Sequence, residues 1–275
     1  MFARAVDIFL RIYGHYVGYH PGKWRVFMKL YPFARPTWNT KRVVKRAGCL
    51  FECDLHDYEQ REIYYAGLEP YQTSYLKKFI KRGWTVFDIG ANCGYYSLLT
   101  SRWVGDSGRV HAFEPSPRNL ATLQRNVQLN NCPNLIVHAA ALGDVEGFCD
   151  IAQGQPGDCS QDRITTGSSV QMTSLDSFVR RNSIRYIDFM KVDIEGSECR
   201  FLRGAAETMR KFHPRMLMEI NPPALARFGS TGEELEERLD ELGYDLFGFD
   251  WRGIKPYQRP SGTSWFRTVL ALPRQ

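Results

Sequence analysis

The chain has 275 residues, of which 43% are hydrophobic and 24% are charged. This composition excludes disordered and fibrous proteins, and the length suffices for one large α/β domain with an N-terminal extension. Seven scattered cysteines form no Cys-x-x-Cys pair, which argues against a zinc site or a disulfide framework and predicts a cytoplasmic protein with reduced thiols. No segment has the length of a transmembrane helix or the pattern of a signal peptide.

The positive charge lies mainly at the start of the chain. Residues 1–50 contain ten Lys or Arg and a single acid, Asp7, which gives a balance of +9, and because the whole chain carries +6 the remainder carries −3. We therefore predict a basic N-terminal extension over residues 1–48 and a main domain over residues 49–275. Residues 1–19 place apolar side chains at helical spacing. The favoured interpretation is a helix packed on the main domain, and peripheral membrane contact or attraction of an acidic substrate are alternatives.

Short elements lead from this extension into the main domain. The sequence predicts strands over residues 41–46 and 50–55, a turn at residues 67–70, and helices over residues 57–65 and 71–81. The second helix delivers the chain to the first buried strand. Glu69 and Tyr71, which lie at its start, are therefore predicted to cover the crevice beside that strand and to contact a substrate.

The centre of the sequence is a strand that breaks into a glycine turn. Residues 86–89 predict a buried strand that carries Asp88, the turn is Gly90-Ala-Asn-Cys-Gly94, and a helix is predicted from Tyr95 onward. In an open α/β sheet this arrangement forms a nucleotide-binding crevice at the carboxyl edge. Asn92 stands where the dinucleotide motif has glycine, so the pattern favours a cofactor without a diphosphate.

A second predicted strand, residues 109–114, ends in Glu114-Pro115. An acid at this position suits a bidentate hydrogen bond to a ribose diol, and together with the glycine turn it indicates S-adenosylmethionine. A third strand over residues 134–141 should place main-chain groups near Ala141 and Leu142 beside the adenine. The predicted cofactor-binding residues are Asp88, Gly90, Ala91, Asn92, Gly94, Tyr95, Glu114, Pro115, Asn119, Ala141 and Leu142.

The rest of the chain continues the alternation of strands and helices. The predicted elements are an inserted hairpin within residues 145–172, a helix over 175–181, a strand over 186–195, a helix over 201–212, a strand over 215–220, a helix over 233–242 and a final antiparallel hairpin over 244–250 and 265–272. Five strand–helix units followed by a hairpin predict a seven-stranded, mostly parallel α/β sheet, which is the Rossmann-like architecture of class I methyltransferases.

Acidic residues follow the fourth and fifth strands of this sheet, on the rim where the cofactor is expected. Methyl transfer from a sulfonium is an in-line displacement, which needs the acceptor oxygen near the methyl group and its proton removed. Asp193 is the first candidate for base or hydroxyl anchor and Glu195 the second, while Glu219 and Asn221 are predicted to contact the substrate. The acids could instead hold a divalent cation that binds a diol. In a structural alternative, Asp193 caps the next turn and Glu195 pairs with a neighbouring Arg or Lys.

Five motifs occur in order and at compatible spacing, namely Asp88-Ile-Gly-Ala-Asn-Cys-Gly-Tyr-Tyr-Ser97, Ala112-Phe-Glu-Pro115, Ala141-Leu-Gly-Asp144, Thr173-Ser-Leu-Asp-Ser177 and Lys191-Val-Asp-Ile-Glu-Gly-Ser-Glu198. Through them residues 50–250 resemble the FkbM family of S-adenosylmethionine-dependent methyltransferases. The resemblance implies O-methylation of sugars, glycans or polyketide-type natural products. It assigns cofactor roles to Asp88, Gly90, Asn92, Gly94, Tyr95 and Glu114, and active-site roles to Asp193 and Glu195.

Two other functions are compatible with parts of the sequence. Asn221-Pro-Pro-Ala224 and the basic N-terminus suggest a nucleic-acid amino-methyltransferase, in which this motif follows the fourth strand and precedes an aromatic that stacks on the flipped base. Here it follows the fifth strand and Ala224 replaces the aromatic, so a small-molecule or saccharide acceptor is expected and nucleic acid is not. The second alternative is a non-enzymatic membrane-surface or scaffold module on the same fold.

Overall fold

The computed structural model describes residues 2–17, 22–34, 40–154, 161–260 and 267–274. Its strands are β1 (Lys41–Arg46), β2 (Cys49–Asp54), β3 (Thr85–Ile89), β4 (Arg109–Phe113), β5 (Leu135–His138), β6 (Ala141–Gly143), β7 (Gly147–Ala152), β8 (Arg163–Thr166), β9 (Val170–Ser174), β10 (Phe189–Val192), β11 (Arg215–Ile220), β12 (Tyr244–Asp250), β13 (Gly253–Pro256) and β14 (Arg267–Pro273). Its helices are α1 (Phe2–Tyr16), α2 (Lys23–Ala34), α3 (Tyr58–Tyr65), α4 (Pro70–Phe79), α5 (Tyr95–Val104), α6 (Pro117–Asn130), α7 (Leu175–Arg181), α8 (Glu198–Gly204), α9 (Ala206–Phe212), α10 (Pro222–Ala226) and α11 (Gly232–Glu241).

Eight of these strands form the main sheet, in the order β13-β12-β14-β11-β10-β3-β4-β5. Strands β3, β4, β5, β10 and β11 run parallel, and β14 is antiparallel to both β11 and β12. The chain moves outward from β3 through β4 to β5 and then returns to β10 on the other side of β3. The strand order therefore reverses between β3 and β10, and the crevice outside the carboxyl ends of these strands is where open α/β sheets bind ligands.

Alternate residues of each strand point to opposite faces of this sheet, and each face is covered by its own hydrophobic cluster. In β3, for example, Val86 belongs to one cluster and Phe87 to the other. Helices α5 and α6 contribute Leu98 and Leu123 to the first cluster. Helix α8 contributes Phe201 to the second. Burial on both faces explains why the central strands read as continuous apolar runs in the sequence.

The prediction of a mostly parallel α/β sheet is confirmed, but its count of seven strands is wrong. The additional strand, β13, pairs antiparallel with β12 at the edge of the main sheet. It has four residues and ends in Pro256, and proline is tolerated at a sheet edge because its missing N–H faces no partner strand. The last two predicted strands, β12 and β14, are antiparallel neighbours. They do not form a simple hairpin, because β13 lies between them in the chain.

Two other predicted elements are each divided in two. The third predicted strand becomes β5 and β6, of which β6 belongs to a second sheet with the order β6-β9-β7-β8. The predicted inserted hairpin is present as the antiparallel pair β7 and β8. The predicted helix over residues 201–212 is interrupted at Ala205, between α8 and α9. Next to this interruption, Gly204 packs so closely on β6 that a Cβ atom would lie 1.9 Å from the main-chain oxygen of Gly143.

Helix α1 packs on the main domain, as the favoured interpretation of the sequence predicts. Val6 and Leu10 are buried in the first hydrophobic cluster, and the carboxylate of Asp7 accepts a hydrogen bond from the hydroxyl of Tyr65 at 2.7 Å. Strands β1 and β2 form an antiparallel hairpin, so the predicted domain boundary after residue 48 falls in the turn of that hairpin. Within the described ranges, no helix is both long enough and apolar enough to cross a membrane.

Candidate active site

A cavity of about 530 Å³ opens at the carboxyl edge of the main sheet, where the strand order reverses between β3 and β10. We call it the central cavity. The predicted site residues that line it are Glu69, Asp88, Gly90, Ala91, Asn92, Tyr95, Glu114, Pro115, Asn119, Ala141, Leu142, Asp193, Glu195, Glu219 and Asn221. Gly94 and Tyr71 are the two predicted site residues that lie outside its lining. The ends of different strands thus bring together residues that are far apart in the sequence.

Positive φ angles favour glycine at both ends of the turn, and at Gly90 the packing of the main chain requires it. Gly90 has φ +79, and a Cβ atom there would lie 1.8 Å from the main-chain oxygen of Asp193. Gly94 has φ +88, and a Cβ atom there would lie 2.5 Å from Cδ1 of Leu123 in α6. Both positions therefore favour glycine through conformation and close approach. The predicted contact of Gly94 with the cofactor stays a prediction.

Asp88 and Asn92 line the central cavity, and each has one buried oxygen atom that lacks a hydrogen-bond partner among the described residues. The Oδ2 atom of Asp88 accepts a hydrogen bond from the Ser97 hydroxyl at 2.5 Å, whereas its Oδ1 atom has no partner. The Nδ2 group of Asn92 donates to Glu59 at 2.5 Å, whereas the Asn92 Oδ1 atom has no partner. Buried polar atoms are nearly always paired in folded proteins. These two acceptors therefore suit a ligand that brings hydrogen-bond donors or a positive charge.

Glu114 is fixed by the main chain at the end of β4. Its two carboxylate oxygens accept hydrogen bonds from the main-chain N–H groups of Asn92, at 2.7 Å, and of Ser116, at 2.8 Å. Burial raises the pKa of Glu114 to about 7, although these two N–H groups favour the ionised form. Each oxygen keeps a further lone pair, so the carboxylate is held ready to accept two hydroxyl hydrogens, as an acid in this position does for a ribose.

Lys191 lines the central cavity and connects the turn after β3 with the end of β10. The sequence analysis did not single it out. It lies on β10 beside Asp88 of β3, and its Nζ atom donates to the main-chain oxygen of Gly90 at 3.0 Å and lies 3.1 Å from Oδ2 of Asp193. Burial alone lowers the pKa of Lys191, but the negative charges of Asp193, Asp88 and Glu59 together raise it above its ordinary value. The sequence does contain a signal for Lys191, namely a lysine between apolar residues of a predicted buried strand. A buried ammonium requires carboxylate partners, so such a lysine indicates nearby acids.

Three carboxylates from the carboxyl ends of β10 and β11 meet in the lining of the central cavity. One oxygen atom from each of Asp193, Glu195 and Glu219 lies within 4.8 Å of the others. Arg227 lies 3.8 Å from Glu195, so the ion pair expected in the structural alternative is present. Burial, followed by the charges of Asp193 and Glu195, raises the pKa of Glu219 well above its ordinary value. These causes favour the protonated form of Glu219, and the cluster also offers the oxygen ligands that divalent cations take.

Glu69 also lines the central cavity, and hydrogen bonds connect it to α5 and β14. Its Oε2 atom accepts a hydrogen bond from the hydroxyl of Tyr96 at 2.7 Å, and its Oε1 atom accepts one from the hydroxyl of Thr268 at 2.8 Å. Burial raises the pKa of Glu69, against these two hydrogen bonds. Its backbone has φ +43 at the start of α4, a conformation that costs energy for a residue other than glycine. The predicted contact of Glu69 with the crevice is therefore supported by fixed hydrogen bonds.

A second, larger cavity of about 1310 Å³ lies beside the first, and we call it the outer cavity. Tyr58, Glu62 and Glu69 line both cavities. The outer cavity is bordered by α1, α2, α3, the start of α4 and the strands β12, β13 and β14. Its aromatic lining consists of Phe27, Tyr31, Tyr58, Tyr65, Tyr71, Phe249 and Tyr257. Tyr71, which lies outside the central cavity, is thus placed in an adjoining one.

Asn221 has a structural role beside its place in the central cavity. Its Oδ1 atom accepts a hydrogen bond from the main-chain N–H of Ala224 at 3.2 Å, and this caps the first turn of α10, which begins with Pro222 and Pro223. Asparagine before proline is a common way to start a helix. Helix capping therefore accounts for the Asn-Pro-Pro sequence without a stacked base.

The chain is similar to known methyltransferases in sequence. The model of the methyltransferase FkbM domain matches residues 88–246, which is more than half of the chain. Methyltransferase 1 of Beauveria bassiana (strain ARSEF 2860) is 27% identical over 143 residues, with coverage of 43% of this chain and 57% of that protein. Methyltransferase sdnD of Sordaria araneosa is 24% identical over 196 residues, with coverage of 58% of this chain and 73% of that protein. The chain thus spans a little over half the length of the first of these relatives.

Solved structures give a weaker likeness. The crystal structure of methyltransferase FkbM from Methylobacillus flagellatus KT matches with a TM-score of 0.42 and 20% identity, and the match covers 68% of this chain and 43% of that one.

Proposed function

The chain belongs to the FkbM methyltransferase family, and from this premise we propose that it transfers the methyl group of S-adenosylmethionine to a hydroxyl oxygen of a small organic acceptor. The observation that carries the proposal is that one cavity is lined both by Asp88, Asn92 and Glu114 and by Asp193 and Glu219. Groups that could bind a nucleoside and groups that could accept a proton thus line the same cavity. A transfer between a bound cofactor and an acceptor needs this proximity.

The residues on the β3 and β4 side fit S-adenosylmethionine. The unpartnered Oδ1 atoms of Asp88 and Asn92 would accept hydrogen bonds from its ammonium group, and the fixed carboxylate of Glu114 would accept its ribose hydroxyls. Main-chain groups of Ala141 and Leu142 border the same cavity and would hydrogen-bond the adenine. When bound, this cofactor supplies an electrophilic methyl group on a sulfonium.

The residues on the β10 and β11 side would orient the acceptor hydroxyl and accept its proton. Asp193 is paired with Lys191, and this arrangement suits a fixed anchor for the hydroxyl. Burial raises the pKa of Glu219, and a higher pKa makes its ionised form a stronger proton acceptor. The sequence analysis gave Asp193 as base or hydroxyl anchor and Glu219 as a substrate contact. We propose the anchor role for Asp193 and the base role for Glu219.

The outer cavity supports an organic acceptor with a sizeable body. Small-molecule pockets usually have volumes of roughly 300–1,000 Å³, and the outer cavity exceeds this range. Its aromatic rings offer flat apolar surfaces, while Glu62 and Glu69 offer hydrogen-bond acceptors where it adjoins the central cavity. A sugar or a polyketide-type natural product with a free hydroxyl combines the same two features. We therefore place the body of the acceptor in the outer cavity and its reacting hydroxyl beside Asp193.

The first experiment is calorimetric titration of the full chain with S-adenosylmethionine and S-adenosylhomocysteine. Binding of both is expected, and an acceptor screen over sugars and polyketides then follows the formation of S-adenosylhomocysteine. Assays with and without EDTA test whether the three carboxylates bind a divalent cation. Loss of methyl transfer in EDTA would show that the reaction needs one. A full chain that binds neither compound would favour the non-enzymatic scaffold. Tight, salt-sensitive binding to nucleic acid would favour the nucleic-acid methyltransferase.

Replacement of Glu114 by alanine is expected to weaken S-adenosylmethionine binding by about 1–3 kcal/mol, the usual cost of losing a charge-assisted hydrogen-bonding partner. In the unmodified protein, affinity should rise with pH, since the pKa of Glu114 is about 7 and the ionised form is the better acceptor. Glu114→Ala should lose this rise. Calorimetry in buffers from about pH 6 to about pH 8 measures both effects. Unchanged affinity in the variant would remove Glu114 from the cofactor site.

Replacement of Asp193 by asparagine or of Glu219 by glutamine is expected to lower the turnover number about a hundredfold, the smaller end of what general-base catalysis contributes. Affinity for S-adenosylmethionine should change little in either variant. Glu219→Gln should also lose the rise in rate with pH that titration of a base produces, whereas Asp193→Asn should keep it. Turnover measured against pH separates the two roles, and the opposite result would return the base to Asp193.

A further inference from the structure

Helix α1 has two apolar faces, and only one of them is covered by the main domain. Val6 and Leu10 are buried. On the other side of the helix, Ile8, Phe9, Ile12 and Tyr16 follow one another at spacings of one, three and four residues, so they form one continuous stripe. Phe9, Ile12 and Tyr16 are 47%, 54% and 78% exposed. A helix packed on the surface of a globular domain normally turns polar residues to this side.

Helix α2 extends the same apolar surface. Met28 and Phe33 are exposed, and the ring of Phe33 contacts the ring of Phe2 edge to face, with 6.0 Å between centroids. The N-terminal apolar patch is defined here as Phe2, Ile8, Phe9, Ile12, Tyr16, Met28 and Phe33. Single exposed apolar side chains are common on proteins, whereas a joined group of this kind marks a surface that binds something.

The charge around this patch is positive. Arg4, Arg11, Arg25 and Lys29 are exposed on the same two helices. Asp7, the single acid among residues 1–50, is turned inward, where it accepts the hydrogen bond from Tyr65. A helix with apolar and aromatic residues on one side and arginines at its border is typical of segments that lie in the interface of an anionic membrane. A second copy of the chain would bring like charges together, which disfavours self-association through this patch.

We propose that the N-terminal apolar patch docks the protein on an anionic membrane surface. The outer cavity is lined by residues of the same helices, among them Gly14, Lys23 and Phe27. A docked protein would therefore hold this cavity next to the membrane, where an amphipathic acceptor partitions. This last step rests on the proposed methyl transfer, whereas the docking itself does not.

The test is co-sedimentation of the full chain with vesicles of phosphatidylcholine alone and of an equal mixture of phosphatidylcholine and phosphatidylserine. Binding to the mixed vesicles is expected, with little binding to the neutral ones, and it should weaken as salt is added. The double variant Phe9→Ser, Ile12→Ser should bind at least about tenfold less. The double variant Arg4→Ser, Arg25→Ser should lose about fivefold for each arginine removed.

Matched controls replace exposed residues elsewhere. Phe148→Ser removes an aromatic that is 64% exposed on β7 of the second sheet, and Lys77→Ser with Lys78→Ser removes two exposed cations from α4. Both controls should sediment like the unmodified protein. Equal binding to the two kinds of vesicle, or no effect of the α1 variants, would overturn the proposal. A lipid-free dimer that the Phe9→Ser, Ile12→Ser variant abolishes would also overturn it and assign the patch to a second copy.

The proposal and the proposed function fail separately. The vesicle measurement requires neither cofactor nor acceptor, so a protein that sediments with anionic vesicles but does not bind S-adenosylmethionine contradicts the methyl transfer alone. A protein that binds S-adenosylmethionine and stays in the supernatant contradicts the docking alone.

Discussion

Replacement of Gly90 by alanine is expected to lower the free energy of unfolding by more than about 4 kcal/mol and to abolish S-adenosylmethionine binding. The added Cβ atom would lie 1.8 Å from the main-chain oxygen of Asp193, in a backbone with φ +79. Because this neighbour is main chain, no change of rotamer relieves the contact, and the ends of β3 and β10 must separate. Urea denaturation and calorimetric titration measure the two effects.

Gly243 provides the matched control for this substitution. It has φ +82, almost the same conformation as Gly90, but a Cβ atom there would meet nothing within 4 Å. Gly243→Ala should therefore cost only the conformational penalty of about 1–2 kcal/mol and leave cofactor affinity unchanged. Similar losses in the two variants would show that conformation alone, and not the contact with Asp193, requires glycine at position 90.

The sequence could predict that the residues proposed to hold the cofactor line one cavity, because their signals are local. Asp88, the glycine turn and Glu114 each lie at the end of a short apolar run, and parallel strands place such ends on one edge of the sheet. The structure adds a physical reason for the glycine at position 90, which is the close approach of the main chain at Asp193. A tight turn between a strand and a helix looks the same in the sequence in both cases.

The outer cavity could not be predicted from the sequence. It forms between the first three helices and the last three strands, and the hydrogen bond between Thr268 and Glu69 joins residues 199 positions apart. Patterns in a short stretch of sequence cannot indicate a contact between residues so far apart. Glu59 was missed for a related reason, because an acid near the start of a helix ordinarily lies in solvent, whereas here it lines the central cavity and bonds Asn92.

The number of strands shows the limit of periodicity as a signal. Strand β13 has four residues, lies at the edge of the main sheet and ends in proline, so it has neither the length nor the alternation that identifies a strand. Strand β14, in contrast, was identified because Val269, Leu270 and Ala271 are buried between two neighbours. A strand that is buried on both faces can be recognised by its run of apolar residues. A short strand at the edge of a sheet has no such run.

Replacement of Lys191 by methionine is expected to lower the free energy of unfolding by about 3–5 kcal/mol near neutral pH, because it leaves buried carboxylates without their cation. Asp193 lies 3.1 Å from the Lys191 ammonium, and burial already raises the pKa of Asp88 although Lys191 opposes that effect. Without the lysine, the pKa of Asp88 in the folded state rises further above its unfolded value. The resulting deficit is therefore largest at high pH and shrinks as Asp88 takes up a proton.

Urea denaturation of Lys191→Met at about pH 8 and about pH 5 tests this dependence, and Lys23→Met is the control. Lys23 is also buried, but its ammonium bonds only the main-chain oxygens of Gly14, at 2.9 Å, and of Val17, at 2.6 Å, among the contacts the described residues give it. Its loss should cost about 1–3 kcal/mol, the penalty of unpaired carbonyls. In the Lys191→Met background, Asp193→Asn should restore part of the stability, since it removes one uncompensated charge. A deficit that does not change with pH and is not relieved by Asp193→Asn would mean that Lys191 acts through packing alone.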